Sequence, residues 1–151
     1  MEQNYNYLNR KKSFYNDLEN GNKYERWFGS LLSTTGISYN NDKRYDILYN
    51  GITYEIKSDK QTYTGNIAIE YSCNGKKSGI EATEADYMVF IFPLISEVWK
   101  IKTKKLKELI SNTKNIKKVK GGDNKLASLY LFKREEVKEN FKTMKINIPL
   151  Y

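Results

Sequence analysis

Asp46, Glu55 and Lys57 are the residues whose types and spacing best suit chemistry. They flank Asn50-Gly51, and Asn-Gly between two alternating apolar runs is the strongest short-range sign of a β-hairpin. With a two-residue loop, Tyr49 faces Ile52, Ile47 faces Tyr54, and Asp46 faces Glu55 with Cβ atoms about 5 Å apart. Alternation puts Tyr45, Ile47, Tyr49, Ile52, Tyr54 and Ile56 on one face, expected in the core. Arg44, Asp46, Leu48, Thr53, Glu55 and Lys57 share the other face. Opposed carboxylates repel, and a divalent cation between them turns the repulsion into binding. Hard Mg²⁺ takes one or two carboxylates, keeps several waters and accepts phosphate oxygen. Lys57, about 7 Å further along the same face, is placed to orient a water or stabilise charge on a pentacovalent phosphate. The same charges also make sense as a compensating surface ladder on an ordinary hairpin, and that alternative stays open here.

Composition narrows the chemistry further. The 151 residues contain no histidine, which excludes Ser-His-Asp and Cys-His catalysis and His-ligated zinc. Cys73 is the only cysteine, so there is no internal disulfide, zinc ribbon or CxxC redox pair. Acid–base and metal chemistry must use Asp, Glu, Lys or Tyr. The net charge is +8, but Lys, Asn, Ile and Tyr make up about 43% of the chain, a bias an AT-rich genome would produce by itself. Placement is more informative. Lys100 to Lys120 carries nine lysines and one acid, Glu108, while the rest of the chain is neutral. A patch so concentrated points to a polyanion, or to a solvated helix face followed by a loop.

The elements that must position these residues follow from periodicity. Residues 1–20 read as an N-terminal arm or helix. A firmer helix spans Lys23 to Ser33, with Tyr24, Trp27, Phe28, Leu31 and Leu32 at helical spacing, Asn22 as N-cap and Gly36 at the stop. Strands are expected at Ile67–Tyr71, Tyr87–Phe92, Glu97–Ile101 and Ser128–Phe132, and helices at Thr103–Ser111 and Glu135–Phe141. The mixed order predicts a single α/β domain over 1–151. The basic stretch 100–122 is expected to be a helix and then a mobile loop. The start Met1-Glu2-Gln3-Asn4-Tyr5 lacks a signal-peptide pattern, and the longest apolar run, Tyr87 to Ile95, is too short to span a bilayer. A cytoplasmic protein is expected.

Asp46, eight intervening residues, then Glu55-Ile56-Lys57 resembles the PD-(D/E)XK nuclease motif in its D…ExK form. Glu25, on the preceding helix, resembles the helix glutamate of the resolvase-like branch. The stretches Thr64–Glu70, Gly75–Ile80, Ala85-Asp86-Tyr87 and Gly121-Gly122-Asp123 are similar to phage-encoded members of that superfamily. The resemblance runs from about Gly21 to Phe132, and it departs from the family pattern at Tyr45, where a proline is usual. It implies a restriction-endonuclease-like αβββαβ core, with a mixed sheet flanked by helices, that hydrolyses phosphodiesters. It further implies that Asp46, Glu55 and the Ile56 carbonyl hold Mg²⁺ or Mn²⁺, that Lys57 activates or orients water, and that Glu25 reaches the metal through water. Read from the residues alone, Glu25 lies three residues after Asn22 and also suits a helix cap.

Glu70 is a further candidate acid, for the metal shell or for pairing with a lysine. Arg44, Lys60, Lys76, Lys77, Lys117, Lys118 and Lys120 are candidates for contacting nucleic acid, and Gly75-Lys76-Lys77-Ser78 does not fit a Walker A loop. Asp59 and Asp86 read as cap or turn residues. These features lead to a metal-dependent DNA endonuclease of Holliday-junction-resolvase type, because little chain remains for a base-reading module. Paired nicks imply a homodimer, with residues 1–20 as the candidate interface. The alternatives are a site-specific restriction-like endonuclease, a non-catalytic nucleic-acid-binding protein on the same fold, and a protein-interaction module.

Overall fold

Asn50 and Gly51 both take positive φ, 51° and 75°, the backbone that a two-residue turn matching the twist of its strands requires. A computed structural model of the chain describes residues 22–40 and 44–151. The expected arm at 1–20, and with it the proposed dimer interface, lies outside the described residues. A helix, α1, covers residues 22–32. It is followed by β1 (Ser38–Tyr39), β2 (Ile47–Tyr49) and β3 (Ile52–Ser58), then β4 (Asn66–Cys73), β5 (Lys76–Lys77), β6 (Tyr87–Phe92) and β7 (Glu97–Lys102). Helix α2 (Thr103–Asn112), β8 (Lys117–Gly121), β9 (Ala127–Lys133), α3 (Arg134–Val137) and β10 (Lys142–Lys145) complete the order.

The strands form two sheets. The larger has order β1-β2-β3-β6-β7-β10 and is mixed, since β3 and β6 run parallel while its other neighbours are antiparallel. The smaller, β5-β4-β9-β8, is wholly antiparallel. The fold is therefore mixed α/β, with helices flanking a mixed sheet. Strand β6, Tyr-Met-Val-Phe-Ile-Phe, is apolar throughout because both its faces are covered. Val89 and Ile91 join Tyr24 and Phe28 of α1, Ile47, Tyr54 and Ile56 in one core cluster. Met88, Phe90 and Phe92 join Ile67 and Ile69 of β4, Phe132 of β9 and Leu106 of α2 in another. The second cluster is where the two sheets meet.

In the parallel register Glu55 pairs with Met88 and Lys57 with Phe90, so both charged residues lie on the face turned toward the smaller sheet. Tyr54 and Ile56, one step out of phase, are buried against α1. Strand alternation thus divides β3 between a core job and a chemical one. No helix among the described residues is long and apolar enough to cross a membrane.

Several expectations change. Asn22 is already helical, so it does not cap α1. Leu31 is 39% exposed and Ile52 37%, the latter because the hairpin tip projects beyond the core. The expected helix at Glu135–Phe141 is one turn, α3, followed by a 3-10 turn at Lys138–Asn140, although Val137 and Phe141 still bury against the second cluster. The basic segment after α2 is strand β8 and not a mobile loop. It alternates Lys118 and Lys120 with Val119 and Gly121 and pairs with β9 along its whole length. Lysines suit such an edge, since charge discourages a further strand from adding. Between β3 and β6 the chain forms β4, β5 and two 3-10 turns, at Thr62–Thr64 and Gly79–Glu81, and no α-helix. The second long described helix, α2, comes after β7.

Candidate active site

The hairpin ladder runs in the expected register, Tyr49 to Ile52, Leu48 to Thr53 and Ile47 to Tyr54, and ends there. At Asp46 the backbone slips. Its N–H donates to the Tyr54 carbonyl at 2.9 Å, and its Oδ2 accepts the Ile56 N–H at 2.7 Å. A side-chain carboxylate thus takes the place of a main-chain acceptor as the next rung. The Asp46 carbonyl in turn accepts the N–H of Asn40 at 2.8 Å, which ties the strand start to β1. Aspartate reaches its neighbour's backbone because its side chain is short, and it does so commonly where regular structure breaks.

Glu55 is the second carboxylate, with its side chain 13% exposed. Its Oε1 lies 3.2 Å from the Lys57 Nζ. Its Oε2 accepts the Thr83 hydroxyl at 3.3 Å. The buried Thr83 hydroxyl also lies 3.2 Å from the Arg44 carbonyl and accepts the Ala85 N–H at 3.2 Å. Thr83 is a positioning residue that the sequence reading missed, since nothing local links it to a glutamate 28 positions earlier. Asp86 has the structural part expected of it, with Oδ2 accepting both the N–H and the hydroxyl of Thr53. Asp59 likewise accepts the Gln61 N–H in a tight turn.

The electrostatics show that these groups belong together. Burial, and then the charge of Glu55, push the Asp46 carboxyl from 3.8 to about 6, against the Ile56 N–H and Lys57, which pull it down. Burial, then Asp46 and Glu55, push Glu25 from 4.5 to about 7. With Asn22 inside the helix, the capping alternative for Glu25 loses its partner, and the glutamate instead faces the hairpin carboxylates. Burial opposes the charge on Lys57, but Glu55, Asp46 and Glu70 outweigh it and hold the ammonium above its ordinary pKa. Lys57 nonetheless keeps 41% of its side-chain surface exposed, within reach of an incoming ligand. Four residues named from sequence, Glu25, Asp46, Glu55 and Lys57, are thus brought together, with Glu70 within electrostatic reach of the lysine.

Burial and the charge of Glu55 raise the proton affinity of Asp46, a cost that a bound cation would offset. Among the described residues no three Asp, Glu or Cys side chains converge closely enough to hold a metal ion. A cation here would rest on Asp46 and Glu55 and complete its shell with backbone, water or substrate oxygen, which is the habit of Mg²⁺.

The basic candidates are more scattered. Lys60 donates to the Tyr151 carbonyl and lies 5.9 Å from the Tyr24 ring centroid, so it is engaged beside α1. Lys76 and Lys77 are exposed on the edge strand β5. The Arg44 guanidinium lies 5.8 Å from the Tyr45 ring centroid. On β8, Lys118 lies about 6 Å from the stacked rings of Tyr71 and Tyr130, and Lys120 donates to the Ser128 hydroxyl at 2.5 Å. The end of β8 nevertheless reaches the site: Gly122 borders the same cleft as Lys57 and Glu70. If the chain binds DNA through β8, replacing Lys117, Lys118 and Lys120 by glutamine is expected to flatten the salt dependence of that binding, each lost phosphate contact lowering the slope by about 0.9. Titrations between low and high salt measure it, and an unchanged slope would mean that β8 does not touch the backbone.

Comparison of the chain with family models, with curated proteins and with solved structures finds no match.

Proposed function

We propose that the protein is a metal-dependent endonuclease that hydrolyses DNA phosphodiesters, selective for branched structure in the manner of a Holliday-junction resolvase. The observation that carries this reading is the convergence of Glu25, Asp46, Glu55 and Lys57, two of whose carboxyls titrate far above their ordinary range. Perturbed acids beside a lysine in a cleft are a recurrent mark of reactive sites. In this reading α1, the antiparallel β1–β2–β3 meander and the parallel β6 stand in for part of the restriction-endonuclease-like core implied by the D…ExK resemblance, whose second helix has no counterpart between β3 and β6.

Asp46 and Glu55 would hold Mg²⁺ or Mn²⁺ together with the Ile56 carbonyl. A bound cation of this kind polarises the phosphodiester and acidifies coordinated water. Lys57 leaves Glu55 to meet the phosphate, where its ammonium offsets charge that builds up on the non-bridging oxygens. Glu25, on the neighbouring helix and within electrostatic reach of both carboxylates, would meet the cation through a bound water and help orient it. Thr83 keeps Glu55 in its rotamer. Two protomers would make the paired cuts a junction requires.

The test is a gel assay on labelled four-way junction, flap, linear duplex and single strand, each in Mg²⁺, Mn²⁺ or EDTA. Paired, metal-dependent nicks on the junction are expected. Cutting of duplex alone would replace the resolvase reading by a restriction-like one. Tight binding without cleavage in any metal would favour a binding protein on the same scaffold.

A further inference from the structure

The face of the larger sheet that carries Glu55 and Lys57 continues beyond β3. Lys57 pairs with Phe90, Phe90 with Trp99 and Trp99 with Thr143, so the same face crosses β6 and β7 to β10. At its far side, where the β6–β7 turn meets the start of β4 and the end of β9, lies an open cleft of about 630 Å³. That volume is ordinary for a ligand site, ~300–1,000 Å³. Glu97, Trp99 and Lys145 line the cleft from the larger sheet, and Lys133, Arg134, Glu135 and Lys138 line it from the end of β9 and the turns that follow. Four cations thus meet two acids, and none of the four belongs to the basic stretch 100–122.

The backbone fixes two of these cations. The Lys145 Nζ donates to the Ile95 carbonyl at 2.8 Å, and the Arg134 Nη1 donates to the Asn66 carbonyl at 2.8 Å. A neutral carbonyl orients a cation without cancelling its charge. Glu97 is paired with Lys138 at 3.5 Å, which leaves Glu135 as the other acid of the lining. Buried Trp99 adds an indole N–H that finds no hydrogen-bond partner among the described residues, a state buried donors rarely keep. The lining is therefore rich in N–H donors and positive charge, and it suits a ligand that is anionic and only accepts.

We infer that this cleft binds a backbone phosphate of a nucleic-acid strand, as an anchor separate from the phosphate being cut. Phosphate oxygens accept and do not donate, and arginine and lysine are their usual partners. The cleft needs no nuclease activity to bind, but the claim that it holds the strand cut at Asp46 and Glu55 rests on the endonuclease reading. Two strands across and two residues along put the Glu97 Cα about 12 Å from that of Lys57. A duplex strand advances about 3.4 Å per nucleotide, so the anchored phosphate lies roughly three to four nucleotides from the scissile one. Such a contact fixes the register and direction of the strand and reads no base.

The test moves a neutral methylphosphonate linkage one position at a time along a labelled DNA strand and measures binding in EDTA. Wild type is compared with the double variant Lys133→Gln, Lys145→Gln, whose two sites are exposed, so the fold is expected to survive. In wild type, the linkage that meets the cleft should weaken binding about fivefold, the upper range for a solvent-accessible ion pair. In the double variant that one position should fall silent, and the salt slope of binding should drop by about 0.9. Identical scans and slopes for the two proteins would overturn the inference. Inorganic phosphate is the small-ligand control, read by tryptophan emission. If it binds wild type and not the variant while the scans agree, the cleft belongs to a small phosphorylated ligand and the strand anchor falls. A position silenced in the variant, with no cleavage in any metal, would remove the nuclease reading and leave the anchor standing. Metal-dependent cleavage with no silenced position would do the reverse.

Discussion

Glu55→Gln is expected to lower the cleavage rate by roughly 10²–10³-fold, the scale of one lost electrostatic stabiliser of the transition state, while DNA binding stays the same or tightens. Glutamine has almost the same volume as glutamate, and its carbonyl oxygen can still accept the Thr83 hydroxyl. What it lacks is the charge that pairs with Lys57 and that a cation needs. Removing one of two carboxylates near a phosphate also removes repulsion, hence the unchanged or tighter binding. Rates under single-turnover conditions, with dissociation constants from the same preparation in EDTA, separate the two effects. A variant that cuts at the wild-type rate would sink the role assigned to Glu55, and one that neither cuts nor binds would point to misfolding.

The second large effect concerns stability. Asp46 and Glu25 have folded pKa values raised to about 6 and about 7, so the folded chain holds their protons more tightly than the unfolded one. Between about pH 4 and 7 the folded state binds more protons, and linkage makes stability fall as pH rises through that window. The favourable contribution is complete below about pH 4 and gone above about 7. For Asp46 the rise from 3.8 to about 6 corresponds to roughly 3 kcal/mol of disfavoured ionisation at neutral pH. Mg²⁺ binds the ionised form, so millimolar Mg²⁺ should raise Tm at pH 7.5 and have little effect at pH 4.5. Asp46→Asn should be more stable than wild type at pH 7.5 without metal, and should lose the response to Mg²⁺. Thermal melts across that pH range, with Mg²⁺ or EDTA, read both. A Tm at pH 7.5 indifferent to the cation would remove Asp46 and Glu55 as its ligands.

Much of the scaffold was legible because its signals are local. Asn50-Gly51 specified the turn and with it the register of Tyr49, Leu48 and Ile47 against β3. The apolar run at Tyr87–Phe92 marked a strand covered on both faces, and Leu106, Leu109 and Ile110 marked the buried side of α2. What escaped depends on residues far apart in sequence. No periodicity announces that β4 leaves the hairpin's sheet to pair with β9, 60 residues on, because that depends on which apolar faces must be covered. The lysines of β8 hid a strand, since an edge needs only β9 on one side and tolerates charge that reads as a loop. Of the site, Asp46, Glu55 and Lys57 were readable from hairpin pairing. Glu25 was ambiguous until the helix start placed Asn22 within it. Thr83 was invisible, because a hydroxyl acting across 28 residues leaves no spacing pattern.

The rung that Asp46 supplies has a consequence for how long the site exists at a time. A carboxylate that stands in for a main-chain carbonyl cannot leave Ile56 without opening the hairpin's last rung, and that rung cannot open while the carboxylate stays in place. Release of the Asp46 carboxylate and opening of that rung are therefore one event, so the rate at which the Ile56 amide exchanges its hydrogen with water would report how long the Asp46 side chain stays in place.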